Sequence, residues 1–384
     1  MFPYLLCFCL TGLFSKVNEE YIRRDRKTAI FITAVIVILI PAIFAGVRDY
    51  TIGTDTNSYI RPMFERIHET VSLSDYLNLA QNNKTLQSLD IGYNFFNFLI
   101  SRISSSPHFF MFCAAAFIGI FTYISLYLLR NTCSIFAGEM IFLLTQYNAS
   151  FNMVRQSMAM SMCLLAAALL TKKVSYKYIK FAIVVVLAMQ FHSSAIIAFA
   201  YLIPYWLFEK NDLDLTLFFK IALFIILVTA VVAGISYVTR FFVNIGVLGS
   251  KYSDYFDAGL SITTRYSMIG KIIYVFPIIY LFIGSYLLSE HKRFFLAIGF
   301  MDVMLFMLTD FSFYLYRISS YFLFYRVISL SSYELYYRES GNKAKIPLQY
   351  GLRVAVSIAF ILFWTYFIVI RNSHATYPYI FMRE

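Results

Sequence analysis

Residues 29–45, "AIFITAVIVILIPAIFA", run without a single charge, and residues 46–60, "GVRDYTIGTDTNSYI", follow with Arg48, Asp49 and Asp55 in quick succession. The first stretch has the length a helix needs to cross a bilayer, about 17–25 apolar residues. The second is more polar than a plain connection requires. An apolar run that ends in a dense group of charges, hydroxyls and glycines marks a membrane boundary. The residues that follow depend for their meaning on which side that boundary faces.

The same alternation continues along the chain of 384 residues, of which only 14% are charged and 60% hydrophobic. A soluble domain carries about 25% charged residues. Here the charges bunch between apolar runs near 2–15, 29–47, 107–129, 134–151, 156–171, 178–191, 194–208, 216–238, 271–289, 294–311, 318–336 and 348–370. This pattern predicts an all-α integral membrane protein of about twelve transmembrane helices. No repeat, heptad or low-complexity tract divides residues 1–384, which read as one polytopic membrane domain. The segment 92–104, "GYNFFNFLISRIS", is apolar but too short to cross, and is expected to be an interfacial or re-entrant helix packed on the outer face.

Charge placement gives the orientation. The first run, "MFPYLLCFCLTGLF", is followed by "SKVNEEYIRRDRK". Basic residues near helix ends mark the inner side, so residues 16–28 and 172–180 are placed inside and both termini outside. The outer side then holds two larger loops, about 48–106 and 239–270, and tight turns carrying Arg155, His192 and Arg317. The net charge of +11 sits mostly in short inter-helix loops, so topology explains it better than a nucleic-acid partner. The five cysteines lie in or beside apolar runs without metal-ligand spacing, as expected of small buried side chains.

Four arginines, Arg48, Arg155, Arg265 and Arg317, stand at the outer ends of apolar runs. An arginine near membrane depth lines a cavity, pairs with an acid or snorkels. Guanidinium also recognises phosphate with a planar pair of donors and stays charged when partly buried. Four such residues on one side suit a lipid-linked pyrophosphate, while pairing with Asp49, Asp55, Asp254 or Asp257 stays open. His192, in "LAMQFHSSAIIAF", is the outside histidine in the tightest turn, and imidazole is the side chain suited to take a proton at neutral pH. The pair Asp212 and Asp214 in "NDLDL" has the spacing of a metal-binding Asp-x-Asp, but it falls on the opposite side and reads as solvated loop charge. No P-loop, zinc motif or dinucleotide fingerprint appears.

The chain resembles the EpsG family of bacterial polysaccharide polymerases, the Wzy-type enzymes of O-antigen and capsule export. The resemblance is carried in order by "AGVRDYTIGTDTNSY", "DIGYNFFNFLIS", "NMVRQSMAMSM", "FHSSAIIAFAYLIP", "YRISSYF" and "TYPYIF". It implies a multi-pass GT-C-like bundle in the bacterial inner membrane, active at the periplasmic face and needing neither cofactor nor metal. Its donor and acceptor would be undecaprenyl-pyrophosphate-linked oligosaccharides within membrane lipid, with a chain-length regulator as a further partner. In such an enzyme His192 would be the base, and Arg48, Arg155, Arg265 and Arg317, with Arg61 beside them, would face the pyrophosphate. Asp55 and Tyr59 would support the sugar's transition state, and Gly53 would allow a tight backbone turn. The rivals are an O-antigen ligase of related type and a flippase for the same lipid-linked unit.

Overall fold

A computed structural model describes residues 1–83, 86, 89–172, 174–209, 216–246, 266–285, 291–310, 313–332 and 346–382. Among these residues the chain is helical, with no strand and one isolated antiparallel bridge between Arg48 and Phe381. Helix α1 (Phe2–Arg23) continues well past its apolar run. The continuation is favoured by residues with good helix propensity and by ion pairs at helical spacing, Lys16 with Glu19 and both Arg23 and Arg24 with Glu20. Helix α2 (Lys27–Gly46) returns across the bundle against α1. The expected outer loop 48–106 holds α3 (Arg61–His68), α4 (Leu73–Asn82) and α5 (Ile91–Ile103). Helix α5 is about 20 Å long at 1.5 Å per residue. It exposes Ile91, Phe95, Leu99 and Ile103 and buries Tyr93, Asn97, Phe98 and Ser101, the two-faced pattern of an interfacial helix.

Next come α6 (Pro107–Leu128), α7 (Ile135–Thr145), α8 (Val154–Thr171), α9 (Lys177–Met189) and α10 (Leu202–Phe208). Helix α8 is the hub: 83% of its apolar window is buried, and it packs on α6, α9 and the 3-10 turn Ser193–Tyr201. Its sequence "VRQSMAMSMCLLAAALLT" explains this, because alanine and serine let neighbouring backbones approach closely within a membrane. The chain continues through α11 (Leu217–Ala233), α12 (Ile235–Asn244), α13 (Met268–Gly284), α14 (Lys292–Met307), α15 (Phe313–Phe324), α16 (Arg326–Ser329) and α17 (Ile346–Trp364). Part of the expected loop 239–270 is therefore helical, since α12 reaches Asn244.

Four described helical segments are long and apolar enough to cross a membrane: Lys27–Gly46, Pro107–Leu128, Val154–Thr171 and Pro347–Ile370. The other expected spans are shorter or broken among the described residues. The run 194–208 divides into a 3-10 turn and α10, 216–238 breaks at Gly234, and 318–336 breaks at Tyr325. Hydropathy counts apolar length and does not register these interruptions. The protein is an all-helical membrane protein in which long and short helices share one bundle.

Two sets of contacts join helix ends. At one end the stretch after α2 is bonded to the residues after α17. At the other, Glu19 accepts from Ser134 Oγ and Phe136 N, Ser134 N donates to Ser331 O at 3.2 Å, and His291 Nδ1 lies 2.7 Å from Glu209.

Between these ends lies a buried ion pair. Arg326 Nε donates to Asp302 Oδ2 at 2.7 Å, and Tyr274 OH donates to Asp302 Oδ1 at 2.5 Å. Arg326 Nη1 donates to Tyr274 O at 2.9 Å, and the Tyr274 ring stacks on Phe306 at 3.5 Å. These contacts tie α13, α14 and α16 together. Asp302→Ala is expected to destabilise the protein by about 3–5 kcal/mol, because it strands a buried guanidinium. Denaturant unfolding in detergent checks this, and the double replacement Asp302→Leu with Arg326→Met should recover most of the loss.

Candidate active site

The polar stretch 46–60 is shaped by its own residues and by the C-terminal tail. Asp49 Oδ1 accepts from Thr51 N and Thr51 Oγ1 at 2.9 and 2.6 Å, a local turn typical of aspartate. Asp49 N donates to Ile380 O and Met382 N to Val47 O, each at 2.9 Å, so the tail runs antiparallel to the stretch. Gly53 adopts φ +84° and donates to Ala375 O at 2.9 Å. A Cβ there would lie 2.9 Å from Asn152 Oδ1 and 3.0 Å from Phe151 O. Both the backbone angle and the space require glycine, as expected for a tight turn. The chain then enters a π-type turn, Thr56–Ile60, which leads directly into α3.

This turn places Asp55 and Tyr59 one helical turn apart, near Arg155 of α8, with Arg317 of α15 acting on Asp55. Burial raises the Asp55 carboxyl above its ordinary range, against the pull of Arg317, the Tyr59 hydroxyl and Arg155, in that order. Tyr59 is held protonated well above the usual phenol range, by burial first and then by Tyr93 and Asp55. Arg155 lies over the rings of Tyr59 and Tyr93, 5.7 Å from each centroid, with Nη1 3.7 Å from Asp90 Oδ2. Gln156 Nε2 donates to Arg317 O at 2.6 Å, tying the start of α8 to that of α15. Two of the four expected arginines, Arg155 and Arg317, thus converge on Asp55.

His192 lies beside this group. It is 6% exposed and has extended backbone before the 3-10 turn. Its Nδ1 is 2.5 Å from Ser194 Oγ, which lies 2.9 Å from Tyr321 OH. Tyr321 stands four residues beyond Arg317 on α15, on the same helix face. With the proton on Nδ1, this arrangement orients the ring and leaves Nε2 as the basic nitrogen.

Arg48 is not offered to a ligand here. Only 2% exposed, it donates to Ala45 O and lies 4.2 Å from the centroid of Phe151. Burial lowers its guanidinium to about 10, partly offset by Tyr147, Tyr4 and Tyr379. It therefore stays charged at neutral pH and bonds the carbonyl end of α2, where a cation is favoured. The tail covers it, a residue more than three hundred positions away in sequence. Arg61 lies on α3, paired with Glu65 at 2.8 Å and over Tyr50 at 4.5 Å. Arg265, Asp212, Asp214, Asp254 and Asp257 lie outside the described residues.

Sequence reasoning missed several partners. Asp90, Tyr93, Ser194, Gln156 and Tyr321 sit in or beside the motifs quoted above, but their pairing needs the fold. His374 lies in the tail beside this stretch. Its O accepts from Asn152 Nδ2 at 2.7 Å, and its Nε2 lies 3.3 Å from Tyr316 OH. Burial lowers its imidazole to about 4, so the ring is neutral across the physiological range. His68 and His108 accept structural duties, bonding Ser101 O and Gly46 O at 2.8 Å each. Among the described residues, no three His, Cys, Asp or Glu side chains gather as metal ligands.

A family model described as "EpsG family" matches residues 31–381. No curated protein and no solved structure matches the chain significantly.

Proposed function

Because the chain belongs to the EpsG family, we propose that it is a polysaccharide polymerase, a GT-C-type glycosyltransferase of the bacterial inner membrane. It transfers a growing glycan from undecaprenyl pyrophosphate to the non-reducing end of an incoming lipid-linked repeat unit, at the periplasmic face. The observation that carries this reading is the convergence of Asp55, Tyr59, Arg155 and Arg317 beside the His192–Ser194–Tyr321 chain, at one end of a membrane bundle.

The chemistry follows from these groups. The acceptor hydroxyl attacks the anomeric carbon and gives its proton to His192 Nε2, forming the new glycosidic bond. The bond from that carbon to the pyrophosphate breaks, and its electron pair leaves with the lipid pyrophosphate. Arg155 and Arg317 stabilise the negative charge that develops, as fixed donors in a partly dry site. Asp55 holds the arginines in register and favours the oxocarbenium character of the sugar. Tyr59, protonated, donates toward Asp55.

The experiment is the surface glycan profile of a strain lacking this gene, together with its lipid-linked intermediates. A polymerase defect leaves single repeat units on the carrier and on the core. A bare core with long chains retained on the carrier would mean a ligase. Single units trapped on the cytoplasmic side would mean a flippase. Either outcome would overturn the polymerase reading.

A further inference from the structure

Asp90 sits at the N-cap of α5, where an aspartate ordinarily accepts from the first amides of its own helix. Its side chain makes no such cap. Instead Oδ1 accepts from Ser193 N at 3.1 Å, and Oδ2 lies 3.7 Å from Arg155 Nη1. One carboxylate therefore touches both the residue that follows His192 and the guanidinium of Arg155.

The surrounding backbone reinforces the first of these contacts. Tyr93 N donates to Gln190 O at 3.1 Å. A Cβ on Gly92 would lie 2.7 Å from Gln190 Cβ and 2.9 Å from Gln190 O. Only glycine lets the first turn of α5 seat this closely on the turn 190–193. The His192 turn is thus gripped from outside its own helices by residues 90, 92 and 93. On the other side Tyr93 supplies the ring beneath Arg155 at 5.7 Å.

We infer that Asp90 is the positioning residue of the site, fixing the His192 turn through Ser193 and the guanidinium of Arg155 through its second oxygen. The inference rests on the reading of His192 as base and Arg155 as pyrophosphate ligand. The two oxygens carry separable duties. The amide of Asp90→Asn keeps an acceptor for Ser193 N–H but has no charge to set against Arg155. Asp90→Ala loses both.

The test is steady-state polymerisation by the purified full-length protein in lipid nanodiscs. The substrate is the lipid-linked repeat unit extracted from a strain lacking the gene. Asp90→Ala is expected to lower kcat by about 10–100-fold, the scale of a displacement of about 1 Å in a reacting group. Asp90→Asn is expected to keep kcat within about three-fold while raising the donor KM by about three- to ten-fold, a shift of at most about one decade in affinity. That KM rise should vanish in an Arg155→Ala background, since the coupled partner is already gone. Wild-type kcat and KM in Asp90→Ala would overturn the inference. So would an Asp90→Asn variant that loses kcat as fully as Asp90→Ala with KM unchanged. If Asp90→Ala does not fold, as judged by gel filtration and thermal unfolding, the kcat and KM of Asp90→Asn decide the matter. His192→Ala runs in the same assay as a reference. Full turnover in that variant would defeat the reading of His192 as base, whereas an inactive His192→Ala beside a normal Asp90→Ala would defeat only the positioning role.

Discussion

His192→Ala is expected to lower turnover by about 10²–10⁴-fold, the contribution of a positioned general base. Donor binding should change little, because in the proposed mechanism the arginines and not the imidazole meet the pyrophosphate. The expectation rests on a ring oriented through Nδ1 by Ser194, itself tied to Tyr321, beside the Asp55–Arg155–Arg317 group. A structural role makes a different forecast. A ring that only braces the 3-10 turn would lower thermal stability on removal and leave turnover per folded molecule near normal. The measurement is in vitro polymerisation by gel-filtered, folded variant, and near-normal turnover there sinks the assignment. Wild-type activity should also fall on acidification, because a protonated base accepts nothing. His374 would contribute to such a fall only well below neutrality, since burial lowers its imidazole to about 4.

Arg155→Ala and Arg317→Ala are each expected to raise the donor KM and to cost about 10²–10³-fold in kcat, as removal of a fixed group facing the pyrophosphate and its developing charge does. The protein should still insert and fold. Lysine at either position should restore part of the rate, because a point charge does not reproduce the planar fork. Arg48→Ala is the informative contrast. Arg48 is buried beneath the tail and bonded to the carbonyl end of α2, so its loss should appear as a lower melting temperature with turnover per folded molecule largely kept. Turnover of the purified variants, normalised to folded protein, checks all three. Full activity in both Arg155→Ala and Arg317→Ala would remove the pyrophosphate assignment.

The membrane class, the positions of the apolar runs and the sharing of one end by Arg155, His192 and Arg317 were legible in the sequence. These are local properties. An apolar run of sufficient length has to leave water wherever it lies, and basic residues near helix ends report their side whatever the packing. That residues 92–104 are too short to cross was legible for the same reason, since length is a property of one helix. The glycine at position 53 also announced its turn.

What the sequence left undecided depends on which ends meet. Arg48 and Arg155 look alike in sequence, each an arginine beside an apolar run. One is sealed by a tail from the far end of the chain, and the other faces Asp55 and Asp90. Asp90 reads as an ordinary helix cap until the turn at 190–193 is brought against it, and Asp302 and Arg326 read as isolated charges in separate apolar runs until three helices close around them. The physical reason is common to all of these. Hydropathy and charge count fix how each segment partitions between lipid and water, whereas the partner of a polar group inside the bundle is set by long-range packing. Sequence determined that this protein crosses a membrane and where its charges gather; only the tertiary structure decided which charges are joined to each other and which are sealed beneath the tail.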